Sequence, residues 1–372
     1  MLFILAFFLI YLGMHLFTWS RFVRQLTLGP RARKIGYLAC VLLALGPIAA
    51  HLIPPAWPET LVYIFWQITF TWLGLIFYLF LFQLALFILE IILLPVAGRL
   101  KPRTTFWAAC GITLLSFLIV GYGFMEASRP VQVTKYEMFS PQVDNDLRVV
   151  FISDTHLGVQ KSAQRVRNLK QLVQEQNPDL ILLGGDILND HLEWMQDEAR
   201  IMEGMQAEMG KFAVLGNHEF YAGVNDSREF YARAGFSLLE DETRKISGAN
   251  VTVTGVSDPA PHRKFRQHQE NVTRQLTRDL DPHHYNILVS HRPWGFEIAA
   301  ASGVDLHLAG HTHKGQIFPF RFFVQLKYDH VYGLLRKNDS ALIVTSGAGS
   351  WGPPIRVLAP PEIVLAKIRS GQ

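Results

Sequence analysis

Four long apolar runs occupy the first third of this 372-residue chain and decide what that part can fold into. A helix that crosses a bilayer needs about 20 apolar residues to span roughly 30 Å of hydrocarbon. Each run is about that long or longer, so the sequence predicts about four membrane-spanning helices. The runs extend from Met1 to Trp19, Ile35 to Ile53, Leu61 to Val96 and Phe106 to Phe124.

The first and third runs raise questions of their own. The first has neither a basic start nor a small-residue cleavage site, so we expect a retained anchor rather than a signal peptide. The third is far longer than a bilayer requires. Either its ends lie along the membrane interface or it contains a re-entrant piece, and an additional span there would reverse the side on which the rest of the chain lies. Glu90 lies in this run, where a carboxylate either has a function or reaches the interface.

Charge separates a basic membrane part from a mildly acidic remainder. Up to Pro130 the chain has nine Lys/Arg and three Asp/Glu, whereas from Val131 onward it has 26 and 28. A domain that binds nucleic acid normally shows a basic stripe, so this balance argues against a nucleic-acid partner. Cys40 and Cys110 both fall in apolar runs, which leaves the remainder without a thiol.

Eight of the nine basic residues of the membrane part lie in two loops, between the first and second runs and between the third and fourth. The loop around residues 54–59 has none. By the positive-inside rule the two basic loops are cytoplasmic. We therefore expect a multi-pass protein of the inner (cell) membrane, with the N-terminus and the large C-terminal domain on the extracytoplasmic side.

The remaining two thirds of the chain alternate strand and helix patterns. Short runs rich in Val, Ile and Leu predict buried strands, and segments such as Ala163 to Gln176 and Leu192 to Met209 predict helices, which together indicate an α/β layered domain. We expect a transmembrane region over 1–125, a linker over 126–146 and a catalytic domain over 147–370. The predicted strands are Leu147 to Ile152, Asp179 to Leu183, Phe212 to Leu215, Val251 to Val256, Tyr285 to Val289, Val304 to Leu308, Ala341 to Thr345 and Ile363 to Ile368.

Five of these strands are followed at once by metal-type ligands. Loops at the carboxyl ends of strands meet at one edge of an α/β sheet, so we expect these side chains to converge. Carboxylate, amide oxygen and imidazole are donors that suit a pair of divalent metals. The segments are Asp154-Thr-His156, Gly185-Asp186, Gly216-Asn217-His218-Glu219, Ser290-His291 and Gly310-His311-Thr312-His313.

These motifs, in this order, resemble those of the calcineurin-like metallophosphoesterases. The resemblance covers about Leu147 to Arg369 and is strongest to the membrane-associated bacterial branch, which includes phosphodiesterases and enzymes similar to UDP-2,3-diacylglucosamine pyrophosphatases. Further segments look like that branch: Gly315-Gln316-Ile317, Tyr332-Gly333-Leu334, Thr345 to Gly349, Pro354-Ile-Arg356 and Pro361-Glu362-Ile363.

The resemblance implies an α/β fold, a double β-sandwich flanked by helices, with two divalent metal ions at its edge. Mn, Fe, Zn and Ni all suit the mixed nitrogen and oxygen donors. His218 would face the phosphoryl group as proton donor or charge stabiliser. One metal would be bound by Asp154, His156, Asp186 and His313, and the other by Asp186, Asn217, His291 and His311, with Asp186 bridging.

Two departures from the family pattern concern the site. Where many relatives have an Asp that orients the motif histidine, here His218, this chain has Asn189, followed by Asp190. We expect Asn189 to polarise His218 less than a carboxylate would, unless Asp190 takes that place. Lys314 replaces a common Gly and either binds a substrate phosphate or points to solvent. Arg292 likewise either clamps phosphate or pairs with an acid elsewhere.

The sequence thus predicts a membrane-anchored hydrolase in which two metals activate a hydroxide against a phosphoester or pyrophosphate bond of a small-molecule, lipid-linked or envelope substrate. The alternatives are a non-catalytic metal-binding scaffold or sensor and, less favoured, a nuclease. Residues 318–337 mix aromatic and basic side chains, which suits either docking on lipid headgroups or a loop that covers the core. Substrate, bond type, metal identity and oligomeric state are left open.

Overall fold

A computed structural model describes residues 2–53, 57–158, 162–189, 192–260, 262 and 264–371. The chain divides into two compact units. The first comprises Met1–Met125 with Gly352–Ile355, and the second Glu126–Trp351 with Arg356–Gln372.

The first unit contains four long helices: α1 (Leu2–Gln25), α2 (Pro30–His51), α3 (Glu59–Ala97) and α4 (Pro102–Ala127). All four are long and apolar enough to cross a membrane, which confirms the prediction of four apolar helices before the catalytic fold. The 39 residues of α3 form one helix, about 58 Å long at 1.5 Å per residue. The long third run is therefore a single helix, without a re-entrant break.

Polar side chains pair within this helical unit. The Arg21 guanidinium lies 2.7 Å from the Glu90 carboxylate, which gives Glu90 a definite partner. Gln25 and Gln83 exchange two amide hydrogen bonds of 2.9 and 2.8 Å. Since hydrocarbon offers no hydrogen-bond partners, such pairs between α1 and α3 hold the two helices in one register.

The second unit contains two six-stranded sheets. The strand order is β1-β12-β2-β3-β4-β5 in the first and β10-β11-β9-β8-β7-β6 in the second. Most neighbouring pairs are parallel; β2–β12, β6–β7 and β10–β11 are antiparallel. The strands are β1 (Gln132–Ser140), β2 (Leu147–Ile152), β3 (Leu180–Leu183), β4 (Lys211–Ala213), β5 (Ser237–Leu238), β6 (Glu242–Lys245), β7 (Val251–Val256), β8 (Tyr285–Ser290), β9 (Leu306–Ala309), β10 (Gly333–Lys337), β11 (Ser340–Val344) and β12 (Glu362–Ser370).

The two sheets pack face to face, with helices outside. In β2, Val149 and Phe151 belong to the apolar cluster shared with the second sheet, whereas Val150 and Ile152 belong to the cluster under the helices. This alternation follows from the two-residue period of a strand that is buried on both faces. The expected double β-sandwich flanked by helices is confirmed. The helices are α5 (Ala163–Gln174), α6 (Gln196–Glu203), α7 (Asn217–Ala222), α8 (Val224–Arg233), α9 (Phe265–Leu276), α10 (Phe296–Ala301) and α11 (Arg321–Gln325).

Two segments differ from the sequence interpretation. The expected linker 126–146 contains β1, which pairs in parallel with β12 at the edge of the first sheet. Its half-exposed, charged sequence carries a weak strand signal, because an edge strand buries little surface. The helix expected from Leu192 to Met209 is a short 3-10 turn followed by α6, which ends at Glu203 before Gly204. The domain limits 1–125, 126–146 and 147–370 remain a prediction.

Candidate metal centre

Five strand ends deliver the candidate ligands to one place. Asp154, Asp186 and Asn217 follow β2, β3 and β4 of the first sheet, and His291 and His311 follow β8 and β9 of the second. The strands β2, β3 and β4 run parallel, as do β8 and β9, so their carboxyl ends lie at common edges. The structure agrees with the expectation that these loops converge.

Asp154, His156 and His313 form the first group. Their ligand atoms lie within 4.8 Å of one another, and all three residues are buried. The Nε2 atoms of His156 and His313 are 3.0 Å apart, and His313 Nε2 is 3.3 Å from Asp154 Oδ1. Three donor atoms therefore point at one small volume.

Asp186, His291 and His311 form the second group. Nε2 of His291 lies 3.1 Å from Asp186 Oδ2 and 3.0 Å from Nδ1 of His311. Asp186 also belongs to a third group with His156 and His218. The Asp186 carboxylate thus lies between the two sets of imidazoles, which is the position required of a ligand shared by two metals.

The donor set fits divalent metal ions. Two ring nitrogens at 3.0 Å must have a proton or a cation between them, because two lone pairs repel. Nδ1 of His291 lies 2.8 Å from the Gly184 carbonyl oxygen and donates to it, which leaves Nε2 as the ring nitrogen that faces Asp186 and would bind a metal. Metal-binding histidines are usually oriented in this way by a carbonyl or carboxylate behind the ring.

Protonation states agree with metal binding. Burial lowers the pKa of His156 to about 3 and lowers the pKa values of His311 and His313 well below the ordinary value. These rings are therefore neutral at pH 7, which is the ligand form. Burial also lowers the pKa of His291, but the neighbouring carboxylates of Asp186, Asp154 and Asp258 together outweigh burial and raise that pKa to about 10. His291 must lose this proton to bind a metal, so metal binding is accompanied by proton release.

The backbone at the site is strained. Asp154, His156, Asp186, His311 and His313 all have positive φ, between 48° and 69°. L-residues rarely adopt this conformation, and it persists at functional sites where the surroundings impose it.

Two glycines leave the space that the carboxylates of Asp186 and Asp154 occupy. A Cβ at Gly216 would overlap the carboxylate of Asp186, and one at Gly310 would overlap Asp154 and Ser153. Glycine is required at both positions because the loop backbones pass directly against the ligands.

Asn217 begins α7 and is linked to Arg292. Nε and Nη2 of Arg292 donate to the carboxylate of Asp258 at 2.5 and 3.3 Å, and Nη2 also lies 3.2 Å from Asn217 Oδ1. Arg292 is 5% exposed. The structure shows the ion pair with Asp258, and the same guanidinium group fixes the Asn217 amide. Binding of a substrate phosphate by Arg292 stays a prediction.

His218 lies at the edge of the cluster. Its backbone N–H donates to Asp186 Oδ1 at 2.8 Å, and its ring Nε2 lies 3.9 Å from Asp186 Oδ2. The side chain is 14% exposed, more than the buried ligands, and the ring flanks His156 at 4.7 Å between centroids. It is thus both beside the metal-binding groups and open to a substrate.

Asn189 orients a different histidine from the one expected. Its amide oxygen lies 2.9 Å from Nδ1 of His156 and accepts from it. The expectation that Asn189 acts on His218 is corrected accordingly, because the side chain of Asn189 is directed at the metal-binding ring. Asp190 and His191 lie outside the described residues.

Lys314 follows the second histidine of the last motif and is half-buried. Its ammonium lies 4.1 Å from the ring centroid of Tyr332, a cation–π contact. Burial lowers its pKa. Lys314 thus packs on an aromatic ring in the structure, and its binding of a substrate phosphate stays a prediction.

Glu219 belongs to one of the sequence motifs, but the sequence assigned it no role. In the structure its role is structural. Its carboxylate is buried and accepts the backbone N–H groups of Gly216, Asp186, Ile187 and Leu188 at 2.7–3.1 Å. The hydroxyl of Tyr231 donates to it as well, at 3.0 Å. The signal in the sequence is an acid three residues after the residue that precedes a helix, the spacing of a capping box.

Arg356 is a second residue whose role was not predicted. It is 0% exposed and donates to the carbonyl oxygens of Gly349, Ala359 and Ser346 at 3.0, 2.8 and 2.9 Å. Its Nη2 atom lies 3.4 Å from Nδ1 of His313. Arg356 thereby holds the loop behind that ring, a role that depends on distant carbonyl groups and has no local sequence signal.

Comparison with known proteins decides the family. The profile of the calcineurin-like phosphoesterases matches residues 147–315. A protein of Aquifex aeolicus named an uncharacterized metallophosphoesterase is 30% identical over 260 residues, which make up 68% of this chain and 98% of that protein. The chain belongs to the calcineurin-like metallophosphoesterase family. The resemblance seen in the sequence is confirmed, and membership of this family makes the protein a metal-dependent phosphoesterase.

Two further proteins are similar to this metallophosphoesterase. A Danio rerio protein named "transmembrane protein with metallophosphoesterase domain" is 27% identical over 263 residues, 67% of this chain and 60% of that protein. A solved structure of a dimetal phosphatase from Danio rerio shares 13% identity with a TM-score of 0.35, covering 54% of this chain and 87% of its own. The four apolar helices and the transmembrane relative support membrane association.

Proposed function

We propose that this protein is a membrane-anchored dinuclear-metal phosphohydrolase that cleaves a phosphoester or pyrophosphate bond of a lipid-linked or envelope substrate. The observation that carries the proposal is the Asp186 carboxylate, which belongs to ligand groups with His156 on one side and His291 on the other. His218 beside these groups supplies an imidazole open to a substrate.

The proposed ligands are Asp154, His156, Asp186 and His313 for one metal, and Asp186, Asn217, His291 and His311 for the other. When bound, two divalent cations lower the pKa of a coordinated water and polarise the phosphoryl group. Mn, Fe, Zn and Ni are the candidate metals, and availability decides among them.

The side chains of the protein perform the remaining tasks. Gly184 and Asn189 hold the rings of His291 and His156 in the orientation that presents Nε2 to a metal. His218 donates a proton to the oxygen that departs from phosphorus, for which its position at the edge of the cluster is suited. No protein nucleophile is required.

The proposed location is the inner membrane, with four spans and the catalytic domain extracytoplasmic, as the basic loops indicate. Lys245 has a 67% exposed side chain and suits a test. With Cys40 and Cys110 replaced by Ser, Lys245→Cys should react with a membrane-impermeant maleimide in intact spheroplasts. Reaction only after lysis would place the domain in the cytoplasm.

The activity is tested with the full chain purified in detergent. Metal-free protein should be inactive, and Mn²⁺ should restore hydrolysis of bis(p-nitrophenyl) phosphate or p-nitrophenyl phosphate. Asp186→Asn should reduce the rate by a factor of about 10³ or more, since the shared ligand loses its charge. Absence of hydrolysis with every divalent ion tried, despite bound metal, would favour the alternative of a non-catalytic scaffold or sensor.

A further inference from the structure

A patch of large apolar side chains is exposed on the catalytic unit. Phe322, Phe323, Leu326 and Leu358 are 55%, 59%, 84% and 58% exposed. We call this set, together with the neighbouring Phe318 and Phe320, the aromatic patch. Contiguous exposed apolar surface of this kind marks an interaction site.

Backbone pairing and ring contacts hold the patch in the fold. Phe318 donates its backbone N–H to the carbonyl of Val357 at 3.2 Å, and Ile317 forms a β-bridge with the same residue. This pairing brings Leu358, from a distant part of the sequence, beside the α11 segment. The rings of Phe318 and Phe322 are in contact at 5.7 Å between centroids, as are those of Phe320 and Phe323 at 5.6 Å.

The patch is also joined to the metal centre. It begins five residues after His313, and the intervening turn His313–Gly315 packs against α11, where Gly315 lies directly on the backbone of Arg321. The amide of Gln316 accepts from the backbone N–H of Trp351 and donates to its carbonyl, both at 2.9 Å. The turn between His313 and the patch is therefore fixed by its contact with α11 and by the hydrogen bonds of Gln316 to the backbone of Trp351.

The charge of the patch segment suits a lipid surface. Residues 318–327 contain Arg321 and Lys327 and no acidic residue. Exposed aromatic and aliphatic side chains with basic neighbours are the composition of segments that lie at the headgroup level of a bilayer with anionic lipid. A covering loop that faces water rarely exposes several large apolar side chains next to one another.

The membrane that the patch would contact is the one that the apolar helices of the same chain are proposed to cross. Among the residues that the structure describes, four helices are long and apolar enough to cross a membrane, and four residues separate α4 from β1. A short tether gives the bilayer a high effective concentration at the catalytic unit, so even a modest patch is sufficient for docking.

From these observations we infer that the aromatic patch inserts into the headgroup region of the bilayer in which the protein is anchored. The occupant of the patch is thus a lipid surface. If the proposed function holds, on which this consequence rests, the substrate is an amphiphile whose phosphate lies at headgroup depth and whose acyl chains stay in the bilayer.

Docking is tested without reference to activity. The full chain, with Cys40→Ser and Cys110→Ser, carries an environment-sensitive fluorophore at Phe323→Cys in vesicles of phosphatidylcholine and phosphatidylglycerol. The matched control carries it at Lys245→Cys. Insertion of roughly 5–10 Å predicts blue-shifted emission and about twofold or greater quenching by nitroxide lipids at position 323, with neither at 245.

Two outcomes overturn the inference. If the probe at 323 behaves like the probe at 245, the patch stays in water. If its emission shifts without quenching by nitroxide lipids, protein covers the patch, for instance a second copy of the chain.

A second measurement addresses the substrate. Phe322→Ser with Phe323→Ser should lower the ratio of the rate on a vesicle-embedded phosphodiester to that on bis(p-nitrophenyl) phosphate by about tenfold. The conservative pair Phe322→Leu with Phe323→Leu should restore the ratio. An unchanged ratio contradicts the amphiphile, whereas absence of hydrolysis by the unaltered chain refutes the proposed function and leaves the fluorescence result valid.

Discussion

His218 is the side chain whose role is most distinct at the scale of single residues. Its side chain is 14% exposed and its Nε2 lies 3.9 Å from Asp186 Oδ2. This position suits two roles, a ligand of the metal and a general acid that protonates the leaving group. A general acid matters most when the departing oxygen is a poor leaving group. His218→Gln should therefore lower kcat about 10²- to 10³-fold for an alkyl phosphodiester and far less for a p-nitrophenyl ester.

Metal content separates the two roles of His218. The variant should bind as much Mn²⁺ as the unaltered chain, measured by mass spectrometry after gel filtration. Loss of one metal ion, or an equal loss of kcat for both esters, would identify His218 as a ligand instead.

The convergence of the candidate ligands could be predicted from the sequence, because each lies just after a strand whose apolar run is visible in the local sequence. Partners contributed by distant segments could not. The Arg292–Asp258 pair joins residues 34 apart in sequence, and nothing near either residue indicates the other. Asn189 was assigned to the wrong ring because the family pattern gives a position in sequence and not the direction of a side chain.

The loop that follows β3 depends on Glu219 at the scale of structural elements. One carboxylate oxygen accepts from Ile187, Leu188 and Tyr231, and the other from Asp186 and Gly216. In Glu219→Gln an amide nitrogen replaces one oxygen, so at least one buried backbone N–H loses its acceptor whichever way the amide lies. The free energy of unfolding should fall by about 2–3 kcal/mol, and the affinity for metal should fall with it.

The matched control for Glu219 is Tyr231→Phe, which removes one donor and leaves the carboxylate intact. It should cost about 1 kcal/mol and leave metal affinity unchanged. Both are measured by denaturant titration of the full chain in detergent, with and without Mn²⁺. Equal effects of the two substitutions would show that Glu219 does not organise the ligand loop.

The limits of the strands with strong apolar runs were predicted to within two residues, because burial on both faces leaves a continuous signal. β2 and β7 were predicted at their observed limits. β1, β5, β6 and β10 were not predicted, since they are short or half-exposed and exist through pairing with a partner strand. Sheet order likewise depends on contacts between distant segments.

The whole chain combines four apolar helices with a sandwich whose two sheets both contribute candidate metal ligands. The first sheet contributes Asp154, Asp186 and Asn217, and the second His291 and His311. The centre therefore exists only when both sheets are packed together. Binding of metal to such a centre stabilises the folded state and is lost on unfolding.

Anomalous diffraction at the manganese edge, from crystals of the full chain saturated with Mn²⁺, tests this arrangement. We expect two peaks about 3.5–4 Å apart. One should lie among Asp154, His156 and His313, the other among Asn217, His291 and His311, and both should contact the carboxylate of Asp186. A single peak, no peak, or two peaks that do not share Asp186 would contradict a dinuclear centre built from these five loops.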